Sequence, residues 1–454
     1  MKKSISFVII FLLVFPTLVS ADGMVHIQDP DMNWRIHDEK QQFCVINYEN
    51  GYQNMILAID IDTLNKDQKG VWIFPVPASP DRTVIDIVRE FPNLWGSDVE
   101  IEVDQKIFES FSVMRLSQIY TFPSLLWDFL GRGGDIITNS FEGKSLGGTI
   151  EGVTIHEYIE KYGVVTELVS TKNGEALYKH LLTKGLNVPE ESKEVIEEYV
   201  GDDYSFVISW FSGYDEIYES NDYYYPERLY NTVGVSLTFP TDKIYYPLKP
   251  TSVYGSKRVP TLIYVMGYVT PNLYPEIQMD SEVTYFIQNR YYPTEELKSF
   301  FGEKQYIQNL KYTKIKINPP SKYLTKDLWI ENYAPTNILM DTWIIQNQLV
   351  FGVFFFVLSS FLASVLSGFV IFRRDKPSLI KIGLFGLWNF LTIIGFSIAT
   401  LFMKTKKLEP EIESKLKSRG LRVWDGRKIP FIILFSISFI IITILFQIIL
   451  GRIF

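Results

Sequence analysis

The sequence predicts an α+β protein: β-rich exported domains carry a small two-helix α/β unit and are followed by an all-α transmembrane tail. Three observations lead there. Short alternating apolar runs, the mark of half-buried strands, recur through the first three quarters of the 454 residues. Three uncharged apolar stretches follow, at 349–372, 382–403 and 429–450. Each meets the ~20 residues that cross a ~30 Å hydrocarbon layer. Charge divides in the same way. Residues 22–346 carry 28 Lys/Arg against 47 Asp/Glu, a net of −19, whereas 347–454 carry 14 against 5, a net of +9. An acidic block joined to a basic apolar tail suits a domain held outside a membrane by its tail.

Residues 1–21 read as a signal peptide. Met1-Lys2-Lys3 is a positive start, 4–14 is apolar, Pro16 breaks the helix, and Val19-Ser20-Ala21 fits a cleavage site. The expected location is therefore the cell membrane, with 22–346 extracellular. Residues 22–130 form a β-rich exported domain. Asn50-Gly51 lies between two apolar runs, a hairpin signal, and Val71-Trp72-Ile73-Phe74 is a further strand. Residues 131–152 hold seven glycines and read as a linker or loop. The α/β unit spans 153–211. A strand at 164–169 precedes a helix at 175–184 ended by Gly185, a second helix opened by Pro189 and stopped by Gly201, and a returning strand at 204–211. A second β-rich exported domain covers 212–346, with strands expected at 233–239, 261–269, 282–288 and 311–317 and a short helix at 294–301.

The membrane domain, 347–454, poses a problem of sidedness. Arg373, Arg374 and Lys376 sit inside if the first apolar segment enters from outside. A second full span would then place nine Lys/Arg of 404–428 outside. The length and uniform apolarity of 382–403 favour three spans. A re-entrant turn near Gly395 is the alternative that keeps every basic residue inside. Ser360, Ser364 and Gly368 recur at four-residue spacing, a small-residue face suited to close packing with a neighbouring helix or another envelope or membrane protein. Membrane lipid is the other expected partner. No ionisable residue lies within the three segments, which disfavours an ion or proton pathway.

Trp72-Ile73-Phe74-Pro75-Val76-Pro77-Ala78 resembles the Trp-x-x-Pro-Val-Pro stretch of an uncharacterised family of exported prokaryotic proteins, domain of unknown function 2330. Tyr162-Gly163-Val164, Ala176-Leu177, Lys184-Gly185, Val188-Pro189, Tyr199-Val200 and Phe206-Val207 are similar to its central segment, and Leu237-Thr238-Phe239 with Tyr246-Pro247-Leu248 to its last block. The chain departs from the paired-Cys start of many members, having Cys44 alone. The resemblance implies export and supplies no activity or site residues.

A single Cys excludes a disulfide framework and cysteine-based metal clusters, and the acidic balance argues against nucleic acid. Gly143-Lys144-Ser145-Leu146-Gly147 matches a nucleophile motif but sits in the Gly-rich connection, away from a strand–turn–helix context. Asp29, Asp31 and Asn33 begin like a calcium loop, yet Trp34 and Lys40 occupy the positions of its Gly and Glu. His26 and His37 lack zinc-site spacing, and Cys44 falls in an apolar strand as a buried thiol. No catalytic or metal residue and no cofactor is expected. The best ligand surface is the aromatic, acidic stretch at 210–230, with Trp210, Tyr214, Tyr218, Tyr223, Tyr224 and Tyr225 as its binding rings. The function expected is a non-enzymatic binding or scaffolding component of the cell envelope; the alternative is a membrane-anchored ectoenzyme, a hydrolase using carboxylates.

Overall fold

The computed structural model describes residues 24–28, 34–36, 42–60, 70–116, 118, 148–150, 153–186, 192–201, 203–211, 232–375, 378–403, 410–420 and 425–451. The strands in chain order are β1 (Met24–Gln28), β2 (Trp34–Ile36), β3 (Gln42–Glu49), β4 (Tyr52–Asp60), β5 (Gly70–Val76), β6 (Val84–Val88), β7 (Ser97–Asp98), β8 (Gly148–Ile150), β9 (Val153–Lys161), β10 (Val164–Thr171), β11 (Ser205–Phe211), β12 (Thr232–Pro240), β13 (Ile244–Tyr246), β14 (Thr261–Met266), β15 (Thr270–Pro271), β16 (Ser281–Tyr291), β17 (Ile307–Ile317) and β18 (Leu328–Glu331). The helices of eight or more residues, with the shorter ones the argument needs, are α1 (Val99–Leu116), α2 (Gly174–Thr183), α3 (Lys193–Glu197), α4 (Thr336–Gln346), α5 (Gln348–Phe372), α6 (Leu379–Phe385), α7 (Thr392–Phe402), α8 (Pro410–Ser418) and α9 (Lys428–Leu450). The chain divides into two compact units, Met1–Asp98 with Ile137–Pro335, and Val99–Ile136 with Thr336–Phe454.

The first unit is built on a seven-stranded sheet, β2-β1-β5-β11-β10-β9-β8, and an eight-stranded sheet, β6-β12-β4-β3-β14-β17-β16-β7. A small third sheet has the order β13-β18-β15. The period of two sorts side chains into layers. On β5, Trp72 and Phe74 join Cys44, Ile46, Met55 and Leu57 in the core between the two large sheets. Val71 and Ile73, the alternate residues, face Leu177 and Leu181 of α2 and Ile196 of α3. On the far side of the eight-stranded sheet, Val45 and Ile56 pack under Leu297, Phe300 and Phe301. β3 and β4 are joined at Asn50 and Gly51, both at positive φ, the two-residue turn that Asn-Gly favours. Tyr162 and Gly163 repeat that geometry between β9 and β10.

Strands of the three sequence blocks before the apolar tail interleave. β5 of the first block pairs with β11 of the α/β segment, and β4 pairs with β12 of the last block. The α/β segment contributes strands to a shared sheet rather than closing its own. Of its two expected helices, α2 runs to Thr183 with Gly185 at φ +74, and the described part of the second is α3. Within the Gly-rich connection, 148–150 is strand β8. The expected short helix at 294–301 is instead a run of turns. Its bonds are mostly of the i to i−3 kind, such as Leu297 to Thr294, and its rings cover the sheet rather than forming a helical stripe.

The second unit is helical. It contains three helical stretches long and apolar enough to cross a membrane, Gln348–Phe372, Leu379–Phe402 and Lys428–Leu450. Within 22–130, read from the sequence as β-rich, Val99–Leu116 is the helix α1. Val99, Val103, Ile107, Phe111 and Met114 recur every three or four residues and are buried, and the last four pack with Ile344 and Phe351. That period belongs to a helix, not a strand.

Candidate functional site

Of the six expected binding rings, Trp210 is described; Tyr214, Tyr218, Tyr223, Tyr224 and Tyr225 lie outside the described residues. Trp210 sits near the end of β11, half-buried against the core beneath α2 and α3. Its neighbour is an ionic cluster. Glu167 of β10 is 1% exposed and faces the same helices. Its Oε2 lies 2.9 Å from His180 Nε2, and its Oε1 accepts from Lys184 Nζ at 2.6 Å. The Lys184 ammonium also lies 5.1 Å from the Trp210 ring centroid, within cation–π range.

Local sequence explains this placement. Asn173 caps α2 by accepting from the Glu175 amide at 2.8 Å. Leu177, His180, Leu181 and Lys184 then follow at helical spacing, so His180 and Lys184 descend together onto Glu167. Burial alone would raise the Glu167 pKa. The bonds from His180 and Lys184 outweigh it and hold the carboxyl below the usual glutamate range. Its two oxygens are thus committed to fastening helix to sheet, and the lysine cation steadies Trp210 at the edge.

A second polar group lies on β9 and β10. Their register shifts between Leu168 and Val169, leaving His156 as the extra residue of a bulge. The bulge brings its Nε2 to 2.8 Å from Ser170 Oγ. Burial lowers the His156 pKa and the Asp81 charge opposes that. Asp81 takes its own hydrogen bond from Ser79, so hydroxyl and imidazole touch while the carboxylate acts only at a distance. Ser170 shows no strand-to-helix turn of the kind a serine nucleophile uses, since it lies within β10.

Asp327 closes a third group. It accepts from Tyr199 Oη at 2.9 Å, Tyr245 Oη at 3.0 Å and the Lys249 amide at 3.0 Å. Burial raises its pKa despite those donors. Cys44 is fully buried in the central core, as expected. Ser145, Asp29, Asp31, Asn33 and His37 lie outside the described residues, and His26 falls on β1. Among the described residues, no group of three or more His, Cys, Asp or Glu is arranged to hold a metal.

In the helical unit, Ser360, Ser364 and Gly368 are occupied by the chain itself. Ser364 Oγ donates to the Ile382 carbonyl at 2.6 Å, Asn389 Nδ2 donates to Ser360 Oγ at 3.1 Å, and Gly368 abuts Ile382. The small-residue face therefore admits α6 and the 3-10 turn Gly386–Leu391. Asn389 also accepts from Gln118 just beyond α1, at 3.2 Å. Sequence reading missed this amide network, although Asn389 is an isolated amide in an apolar stretch.

No protein-family model matches the chain, and no curated protein matches it. Among solved structures it is similar to a mutated baculovirus P35 after caspase cleavage, at 12% identity and a TM-score of 0.26, covering 65% of this chain and 100% of that one. It is also similar to baculovirus P35 itself, at 13% identity and a TM-score of 0.24, covering 66% and 97%. Likeness at those scores carries no argument about fold or function.

Proposed function

We propose that this is a membrane-anchored protein whose β-rich unit faces the exterior as a non-enzymatic binding or scaffolding component of the cell envelope. The observation that carries the reading is the inverted polarity of the long helices. On α5, Phe354, Leu366, Phe369 and Val370 are exposed, while Ser359, Ser360, Ser364 and Ser367 are buried. On α9, Ile433, Ile437, Ile441 and Leu445 are exposed. Apolar surface turned outward around small polar contacts suits lipid as solvent. The acidic charge of 22–346 and the resemblance to an exported family support the exterior assignment. Alkaline carbonate should leave the protein in the membrane pellet, and protease added to intact cells should cleave 22–346. Release by carbonate, or full protection while a control surface protein is cut, would overturn the reading.

The recognition surface we assign to it is 210–230, because Trp210 is held half-buried at its start and the tyrosines beyond are mixed with carboxylates. Truncation of an exposed anchor ring costs binding rather than stability. Tyr224→Ala should therefore leave the melting temperature of the detergent-solubilised protein within about a degree or two. A drop of many degrees, the signature of a lost core ring, counts against the assignment.

A further inference from the structure

We infer that the middle apolar stretch is a re-entrant hairpin, which enters and leaves the membrane on one face, so that the chain makes two complete spans and its basic segments share one side. The inference rests on the membrane reading above and adds the path of the chain within the bilayer.

The two outer helices define the depth scale. α5 and α9 run antiparallel: Phe372 meets Phe431 at 5.2 Å between ring centroids, Phe356 meets Phe439 at 5.6 Å, and Phe355 meets Phe446 at 5.3 Å. The end carrying Phe372 therefore also carries the start of α9. The first arm of the middle stretch departs from that end. Ile382 lies beside Gly368, Gly386 lies against the Ser360 carbonyl, and Phe390 reaches Phe356 at 6.3 Å. Phe356, the deepest of these contacts, is sixteen residues before Phe372, roughly 24 Å along a helix, so the arm stops about two turns short of the far end at Gln348.

The direction then reverses. Thr392 has φ +61 and ψ 178, a conformation that a β-branched residue adopts only under constraint. Past it, Phe396 stacks on Phe435 at 3.8 Å and lies 5.6 Å from Phe431. Phe385 and Phe396 approach to 5.7 Å. Eleven residues of straight helix would hold their backbones about 16 Å apart. The return arm ends at Phe402, beside Lys428 of α9, whose Nζ donates to the Leu401 carbonyl at 2.6 Å. That carbonyl is in the last turn of α7, where a lysine both fills an open acceptor and suits the helix dipole. Both arms thus begin and finish beside Phe372 and Lys428.

Non-helical backbone at membrane depth must be sheltered by protein. Asn389 and Thr392 are buried, Asn389 bonds Ser360, and the Ser364 hydroxyl bonds the Ile382 carbonyl. The charge conflict found in the sequence also disappears. Arg373, Arg374, Lys381, Lys415, Lys417, Arg419, Arg427 and Lys428 all flank one membrane face, which the positive-inside rule makes cytoplasmic. The far end of α9 then shares its side with the β-rich unit.

The test is cysteine accessibility in the full chain. Wild type, whose Cys44 is buried, is the control. Ser378→Cys, Ser418→Cys and a cysteine appended after Phe454 are each treated with a membrane-impermeant maleimide, on intact and on permeabilised cells. The appended cysteine should label on intact cells, and the other two only after permeabilisation. Labelling of Ser418→Cys on intact cells, or protection of the appended cysteine, overturns the hairpin. Failure of the anchoring reading shows differently, as loss of the protein from the carbonate pellet.

Discussion

At Asp341 burial and neighbouring like charges act in the same direction. It lies on α4, 2% exposed, and its Oδ1 has no hydrogen-bond partner among the described residues. Burial, with the like charges of Glu100 and Asp104 on α1, pushes its pKa up to about 6. An unfolded aspartate titrates near 3.9, so between about pH 4 and 6 the folded chain holds a proton that the unfolded chain has lost. Stability from this group is therefore complete below about pH 4, falls as pH rises through 6, and stays reduced above it. Asp341→Asn keeps the shape and removes the charge. We expect it to raise stability by ~1–3 kcal/mol at pH 8 and to change it little at pH 4, read from thermal melts of the solubilised protein at both values. Equal melting curves at pH 8 would mean that the carboxylate is solvated or paired. Nothing in the sequence around Asp341 distinguishes it from the other acidic residues, because its environment comes from a helix more than 230 residues earlier. Glu167 is hidden in the same way: its partners His180 and Lys184 are legible as one helix face, but the strand beneath them is not. Trp210 was legible as an aromatic ring of interest; the cation beside it was not.

At the scale of elements, the sequence patterns that were strongest also survive best. Asn50-Gly51 makes its two-residue turn, and strands expected at 233–239 and 282–288 appear as Thr232–Pro240 and Ser281–Tyr291. The missed element, α1, carries a plain signal. Its apolar positions step by three or four while Glu100, Glu102, Asp104, Lys106 and Glu109 occupy other faces. It sits in a block whose other apolar runs alternate, so the helical period is easily passed over. The middle apolar stretch was ambiguous for a different reason. Hydropathy measures transfer into lipid and is blind to direction. What decides direction is close packing: Gly368 against Ile382, Gly383 against Phe361 and Gly386 against Ser360 leave no room for a Cβ. These contacts draw the first arm onto α5, and Thr392 turns it back. The glycines and the lone Asn389 were the available clues, and each also occurs in ordinary spans.

The whole molecule departs from the simplest picture, in which an exported block of 22–346 is tethered by a separable tail. α1 belongs to the helical unit although it lies between strands of the first unit. Ser110 of α1 faces Gly352, Phe111 lies 5.6 Å from Phe355, and Arg115 donates to Gln447 of α9 at 2.8 Å. Removing residues 347–454 would therefore strip Phe351, Phe355 and the α9 contacts from Val103, Ile107, Phe111 and Met114, leaving only Ile344 and Ile345 of α4 to pack with them. Each loses up to ~1.5–3 kcal/mol of burial, and together they form an exposed apolar stripe. We expect the fragment 22–346, expressed alone, to aggregate or to require detergent. A second fragment, in which 99–136 is replaced by a Gly/Ser linker, should stay monodisperse without detergent, because every strand of both large sheets lies outside the replaced segment, with β7 at its border. Size-exclusion chromatography of the two fragments reads the difference. If the first fragment runs as a stable monomer in plain buffer, α4 alone covers the α1 stripe and α1 does not need the long helices. If both aggregate, the β-rich unit depends on the bundle for its own folding, and the anchor is part of the fold rather than an attachment to it.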